Sequence, residues 1–480
     1  MEIFQEKIAK DENNINNYPD YLIDEEGHRH QLTGKLGQGG QGAVYKTSDK
    51  NVVVKVVVDE LGRIVKDRQL YRSFKSEIDE IRILNLPDDI HIATPVLMLK
   101  EPYNGYIMQL LSGMVPIKKL MIPSLSEKMN LAEFYIKTGG VRRRLKLLYK
   151  IARILLRLHS LPVVYGDISP ENIFVSSDVS ADEVWFIDAD NMRYTMDFSN
   201  IIYTPGYGAP EIVKGISGNN TLTDSYSFAL LAFELLAVLS PFDGEYIESG
   251  DGGWDDEEDD DVDNYEKAQR GELPWVEDED DDSNFSDKGI PRNIVLSKRM
   301  RELFQQTFGY QGRVNPAERP GMEKWYRVLK QALDAIIQCP HCEATYFYNN
   351  TCPFCNNTRE HVYYSKIYDY FKIPDIPEES RKKMIGFKFL DISTEPQFLY
   401  NYHTGDPLME EGTRETVEIK FGKYINIRNI SLGKVKVKPH EHDEKILKKG
   451  EQTKFRHVDE FAIYNHVGKF KTRAFNFKKI

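Results

Sequence analysis

The sequence predicts an α+β chain assembled from successive modules, and three observations carry that prediction. A glycine-rich turn at 37–42 leads into a valine-rich strand with one lysine, and then into an amphipathic helix. Two short apolar runs between 163 and 190 each end in an aspartate. Beyond residue 338, two Cys-Pro-x-Cys pairs are followed by short runs of period-two alternation, a β pattern. With 480 residues the chain exceeds one ordinary domain and can bury a sizeable core.

The formal net charge of −12 is local in origin, because 243–287 is crowded with Asp and Glu while 431–480 is basic. Whole-chain charge therefore says little about partners. The four cysteines all lie between Cys339 and Cys355, which fits a reducing compartment and a metal site better than disulfides. The polar, acidic opening 1–20 lacks the pattern of a secretory signal. The longest apolar run, 228–242, carries Glu234 and is too short to span a bilayer. A cytoplasmic chain with no membrane partner is the expectation.

In chain order, 32–46 contains G-x-G-x-x-G-x-V through Gly37, Gly39, Gly42 and Val44. Glycines let a backbone turn tightly and lie over phosphates without a Cβ in the way. Lys55 follows within the valines of 51–58, and a lone lysine there is costly unless its charge is paired. Phe74, Ile78, Ile81 and Leu84 recur at helical spacing. Glu77, beside that stripe, is the expected partner of Lys55, with Glu80 in reserve. The run 106–113 reads as a strand entering a linker. A helix over 141–159 then presents Leu145, Leu148, Ala152, Leu155 and Leu158 on one face.

The stretch 163–190 follows, with Asp167 and Asn172 after its first apolar run and Asp188 after its second. Two carboxylates and an amide delivered to one point are hard oxygen ligands of the kind Mg²⁺ accepts. Asp167-Ile168-Ser169-Pro170-Glu171-Asn172 resembles the catalytic loop of protein kinases, and Asp188-Ala189-Asp190 stands where their Asp-Phe-Gly motif would be. Further motifs keep the family's order: the Ala-Pro-Glu ending in Glu211, the Asp224 that opens a buried helix, and Arg319-Pro320. The resemblance is to eukaryotic-type Ser/Thr protein kinases of the bacterial kind.

It implies a bilobal protein-kinase fold, after which the two cysteine pairs and the alternating runs add a zinc ribbon and a small all-β domain. The segments implied are an N-terminal extension at 1–30, an N-lobe at 31–111 and a C-lobe at 112–337 with an acidic insertion at 245–289. A ribbon at 338–359 and a β-sandwich-like domain at 360–480 complete the chain. By the same resemblance, Lys55, held by Glu77, orients the α- and β-phosphates of ATP beneath the Gly37, Gly39, Gly42 and Val44 loop. Met108 closes the nucleotide pocket, and the backbone from Gln109 to Leu111 bonds adenine. Asn172 and Asp188 hold Mg²⁺, and Asp167 accepts the proton of a Ser or Thr hydroxyl. Asp224 braces the catalytic loop, and Arg319 pairs with Glu211. Pro205 after Thr204 favours Ser/Thr over Tyr substrates.

The pattern also departs from the family. Tyr165 and Gly166 replace His and Arg, so no arginine receives a phosphorylated loop and activity is expected not to need loop phosphorylation. Ser169 replaces the lysine that contacts the transferred phosphate; losing one such stabiliser costs about 10² to 10³ in rate. Ala189-Asp190 replaces Phe-Gly. The alternatives are a catalytically weak nucleotide-binding pseudokinase scaffold and a small-molecule phosphotransferase of kinase-like fold.

Acidic runs at 255–261 and 277–282 read as a solvated loop, or as a dock for a basic protein or the chain's own basic end. Between them, 271–276 carries Trp275 and is expected to dock on the lobe. Cys339, Cys342, Cys352 and Cys355 have the spacing of a structural Zn²⁺ site, with His341 a bystander. The alternating runs of 360–480 predict a small β-sandwich or barrel that targets or regulates the enzyme. The partners expected are a protein substrate and an acidic or intramolecular contact for the basic end; nucleic acid is less favoured.

Overall fold

A computed structural model describes residues 18–39, 42–87, 90–121, 129–194, 201–248, 263–359, 361–373, 377–392, 396–405, 414–467 and 470–480. The expected α+β architecture is present, in two compact units. One unit comprises Met1–Lys119 with Ile154–Leu231; the other comprises Leu120–Arg153 with Ala232–Ile480.

The first unit opens with an antiparallel sheet of β1 (Tyr21–Ile23), β2 (Arg29–Gly39), β3 (Gly42–Thr47), β4 (Val52–Val56), β5 (Leu97–Met98) and β6 (Gly105–Gln109), in the order β1-β2-β3-β4-β6-β5. Leu22, Leu32, Tyr45, Val54, Val56, Leu99 and Ile107 form its core. The sheet thus begins inside the segment expected to be an extension, because Leu22 is needed to close that core. Helix α1 (Arg68–Arg82) starts where Asp67 accepts the N–H groups of Gln69 and Leu70, a side-chain cap. It buries Tyr71, Ile78 and Ile81.

Beyond α1, β7 (Met114–Pro116), β9 (Ile173–Ser176) and β10 (Val184–Phe186) form a three-stranded sheet, and β8 (Val163–Val164) pairs with β11 (Arg193–Tyr194). These short strands carry the two aspartate-ending runs. Helices α2 (Gly140–Ser160) and α3 (Thr221–Ala237) supply residues to both units.

In the second unit, Trp275 is fully buried, edge-on to Phe233, and its indole N–H donates to Gln305 at 2.9 Å. In the second acidic run Glu279 to Asp282 are exposed, as expected of a solvated stretch, and only its first two acids depart from that expectation. Glu277 pairs with Arg292 at 2.8 Å, and the buried Asp278 lies 3.6 Å from Arg313, so these two charges are neutralised inside the fold. The first acidic run lies outside the described residues. Helix α4 (Lys298–Phe308) stacks Phe304 and Phe308 behind Trp275, and α5 (Met322–Asp334) follows.

β12 (Ile336–Gln338), the strand entering the first cysteine pair, forms a hairpin with β13 (Thr345–Phe347), and the strands beyond it form a six-stranded sheet and a four-stranded sheet. In the first, β14 (Val362–Phe371) lies between β15 (Lys382–Asp391) and β23 (Lys471–Lys479), and β22 (Glu460–His466), β19 (Val435–Pro439) and β20 (Lys445–Leu447) continue from β23; in the second, β17 (Glu415–Phe421) lies between β16 (Gln397–Tyr400) and β18 (Ile425–Asn429), with β21 (Gln452–Phe455) beyond β18. Alternate residues from both sheets, among them Ile367, Leu390, Phe475, Val417, Ile419 and Ile427, share one core, so this is a sandwich. Arg473 forks onto Asp369 through two hydrogen bonds of 2.7 and 3.0 Å across β14 and β23.

Candidate active site and cysteine cluster

Lys55 on β4 faces the interior, only 5% exposed. Its Nζ donates to Asp188 Oδ1 at 3.0 Å and to Asp190 Oδ2 at 2.8 Å. Burial acts to lower the pKa of this ammonium, but the neighbouring Asp190 and Asp188 charges outweigh it and the net shift is upward. Lys55 stays charged. The expectation for Glu77 is corrected here: Glu77 and Glu80 are exposed, while α1 turns Ile78 and Ile81 inward. Helix α1 meets the site with apolar groups, and Phe74 stacks on Tyr106 at 6.3 Å.

Asp188 has φ 55 and ψ 54, a left-handed conformation rare for a residue with a side chain. Such strain clusters at functional sites. Its strand position is set by Ile187, whose N–H donates to the Asn172 carbonyl at 2.9 Å. The Asn172 backbone is thereby tied to the run that ends in Asp188. Asn172 Nδ2 donates to the Asp167 carbonyl at 3.0 Å and to Asp167 Oδ2 at 2.8 Å. Asp167 Oδ1 accepts the Thr204 hydroxyl at 2.7 Å. The catalytic-loop candidate is therefore held in a defined orientation, with an alcohol already donating to it.

Asp224, near the start of α3, accepts the backbone N–H groups of Tyr165 at 2.9 Å and Gly166 at 3.0 Å, and His159 Nε2 lies 3.1 Å away. Tyr165 is buried edge-on to Phe186, and its hydroxyl donates to the Ile187 carbonyl beside Asp188. Gly166 has φ 89, and a Cβ there would meet the Asn191 carbonyl at 3.2 Å. Asn219 Nδ2 donates to the Gly166 carbonyl at 3.0 Å.

The other predicted positions are placed as follows. Gly37 pairs with Val44 and Gly39 with Gly42 in the β2–β3 ladder; Gly40 and Gln41 lie outside the described residues. A Cβ at Gly42 would meet the Val56 carbonyl at 2.4 Å, which explains glycine there. Met108 is buried opposite Val53, Gln109 is exposed and Leu111 half-buried. Glu211 is buried in the first unit and Arg319 in the second, where its Nε donates to the Gly312 carbonyl at 2.7 Å. Sequence reasoning missed Tyr106, whose hydroxyl donates to Asp190 Oδ1 at 2.5 Å, and the hydroxyl contact of Thr204. Asp190 was visible as a departure from the family's glycine, but its partner was not.

For Mg²⁺, the donor set fits. Asp188 supplies a partly exposed carboxylate, and the Asn172 amide nitrogen is engaged by Asp167, which leaves its oxygen for a metal. In the second unit the Sγ atoms of Cys339, Cys342, Cys352 and Cys355 all lie within 4.8 Å of one another. Cys339 and Cys355 are 3.6 Å apart, and Cys342 and Cys352 are 3.7 Å apart. A tetrahedron of ordinary Zn–S bonds has edges of about 3.8 Å, so the four thiols fit zinc. The two knuckles repeat one backbone device: Glu343 (φ 60) and Asn356 (φ 59) follow the second cysteine of each pair. Their N–H groups return to the Cys339 and Cys352 carbonyls at 3.1 and 2.9 Å. A hydrogen bond from the Asn357 side chain pulls the Cys355 thiol down, while burial pushes Cys342 and Cys352 up. His341 is exposed and outside the cluster.

An internal lysine thus meets the strained Asp188 beside a braced Asp-x₄-Asn loop, all within the first unit. The chain belongs to the protein kinase domain family, whose model matches residues 30–327, more than half of its length. It is 26% identical over 229 residues to a probable serine/threonine-protein kinase of Clostridium perfringens, covering 46% of this chain and 30% of that protein. It is also 26% identical over 231 residues to serine/threonine-protein kinase PknG of Mycobacterium leprae, covering 46% and 27% respectively. Myosin light chain kinase A of Dictyostelium discoideum is 22% identical over 223 residues, 45% of this chain and 70% of that protein. The chain thus spans less than a third of either bacterial relative.

Proposed function

We propose that this protein is an ATP- and Mg²⁺-dependent kinase that transfers the γ-phosphate to Ser or Thr hydroxyls of protein substrates. The observation that carries the proposal is the meeting of Lys55 with Asp188 at 3.0 Å, across 133 residues of sequence, in the unit that also orients Asp167. Lys55 binds the α- and β-phosphates, and Asp188 with Asn172 holds the metal, which when bound neutralises charge on the transferring group. Asp167 takes the proton of the incoming alcohol. The Thr204 hydroxyl, which donates to Asp167 Oδ1 at 2.7 Å, supports that role. The glycine ladder of β2 and β3 lies over the phosphates, Met108 lines the adenine site, and the backbone from Gln109 to Leu111 bonds the base.

Cys339, Cys342, Cys352 and Cys355 would hold Zn²⁺ and so keep the β12–β13 hairpin rigid, and the sandwich beyond it targets or regulates the kinase. Support for a rigid attachment comes from Arg142 on α2, which reaches Asp391 on β15 at 3.1 Å and the Ile336 carbonyl at 3.3 Å. Among the described residues no helix is long and apolar enough to cross a membrane.

The test is incubation with γ-labelled ATP, Mg²⁺ and generic basic proteins, beside Asp167→Ala and Asp188→Ala. Transfer to Ser or Thr by the wild type, lost in both variants, supports the proposal. Tight nucleotide binding without transfer sinks it in favour of a scaffold.

A further inference from the structure

In the kinase reading proposed above, on which this inference rests, the phosphate-binding lysine needs a carboxylate that holds it in place. The described site offers none from helix α1, since Glu77 and Glu80 face solvent and the helix buries Ile78 and Ile81. Lys55 instead has two carboxylates from one short turn. Asp188 is partly exposed at 26% and carries the donor atoms suited to a metal, so its charge is shared with that ion when bound.

Asp190 differs. It is more enclosed, at 15%, and its two oxygens are divided: Oδ2 takes Lys55 at 2.8 Å, and Oδ1 takes the Tyr106 hydroxyl at 2.5 Å. Tyr106 is itself fixed. It is the cross-strand partner of Lys55 in the β4–β6 ladder, is fully buried, and stacks on Phe74. Its phenol is pushed well up, first by burial and then by the Asp190 charge, so it remains a donor. Lysine, carboxylate and phenol thus form a closed set between a rigid sheet and the metal-binding turn.

We propose that Asp190, anchored by Tyr106, is the residue that positions Lys55 for the phosphates of ATP, in place of an acid from helix α1. A consequence is that α1 does not gate this site through charge. Where the lysine's partner rides on a helix, moving the helix disarms the site; here the partner rides on the same turn as the metal ligand.

The experiment uses the full chain. Mg²⁺·ATP affinity is measured by calorimetry, and kcat and KM for ATP by transfer to a basic protein. The variants are Asp190→Asn, Asp190→Gly, Tyr106→Phe, and Glu77→Gln with Glu80→Gln. Asp190→Gly installs the residue kinases usually carry, and its circular dichroism controls for folding. The expected result is a tenfold or greater loss of kcat and a several-fold weaker Mg²⁺·ATP in both Asp190 variants. Tyr106→Phe falls between them and wild type, and the double glutamine variant stays within twofold. A tenfold loss in the double glutamine variant, or unchanged Asp190 variants, overturns the inference. Should the wild type bind Mg²⁺·ATP without transferring phosphate, the kinase reading fails, yet the calorimetric comparison still decides what positions Lys55. A wild type that binds no nucleotide overturns both.

Discussion

Arg142 and Asp391 meet at 3.1 Å although 249 residues separate them, and Asp391 is 1% exposed. The same carboxylate accepts the Gln338 N–H at 3.0 Å and lies 3.1 Å from Arg359. One buried acid therefore ties helix α2, the first knuckle strand and sandwich strand β15 together. Removing one partner of a buried ion pair costs about 3 to 5 kcal/mol, because the remaining charge is left without compensation. Asp391→Ala is expected to lose that much in urea unfolding. A change below about 1 kcal/mol would show that the arginines find water instead.

His403 and Asp334 supply a pH-dependent term. His403 Nε2 lies 2.7 Å from Asp334, which also takes the Tyr402 hydroxyl at 3.0 Å and Lys388 at 3.4 Å. Burial outweighs the pull of the carboxylate and lowers His403 from 6.5 to about 4. The imidazole is neutral in the fold and protonates more readily once unfolded. Its contribution is complete above pH 6.5 and is lost as pH falls toward 4. The depressed Asp334 acts in the same direction at lower pH. Between pH 7.5 and 5 the loss from His403 is about 2 kcal/mol. Urea midpoints across that range should fall in the wild type, with a flatter slope in His403→Gln.

Zinc is expected at one ion per chain, held by the cysteine cluster. Structural zinc contributes on the order of 10 kcal/mol to a small module. Chelation, or Cys352→Ser, should release the ion and lower the thermal midpoint, as read by metal analysis and calorimetry. Purified, folded protein without zinc and insensitive to chelators would exclude a structural metal here.

Gly166 stands where kinases usually carry arginine, and its φ of 89 is one that side chains adopt at a cost of about 1 to 3 kcal/mol. A Cβ would also press on the Asn191 carbonyl, in the turn that follows Asp188. Gly166→Arg should therefore lower both the thermal midpoint and the transfer rate. Higher activity in that variant would mean that the backbone conformation is not what selects glycine.

Much of this molecule is legible in its residue pattern, because each local signal has a local cause. Valines around Lys55 specify a buried strand, and the aspartate-ending runs specify the short strands β8 and β10 that lead into the Asp167 loop and the Asp188 turn. Period-two alternation foretells the sandwich, and Cys-Pro-x-Cys spacing foretells the thiol cluster. The tertiary structure alone decided who meets whom. Glu77 and Ile78 are neighbours on one helix, and only the packing of α1 determines that Ile78 turns inward and leaves Lys55 to Asp190. Likewise, the second acidic run stays solvated over Glu279 to Asp282, and only the fold brings Arg292 and Arg313 against Glu277 and Asp278. Charge pairing depends on distance in space, and sequence separations of 15 to 249 residues carry no record of it.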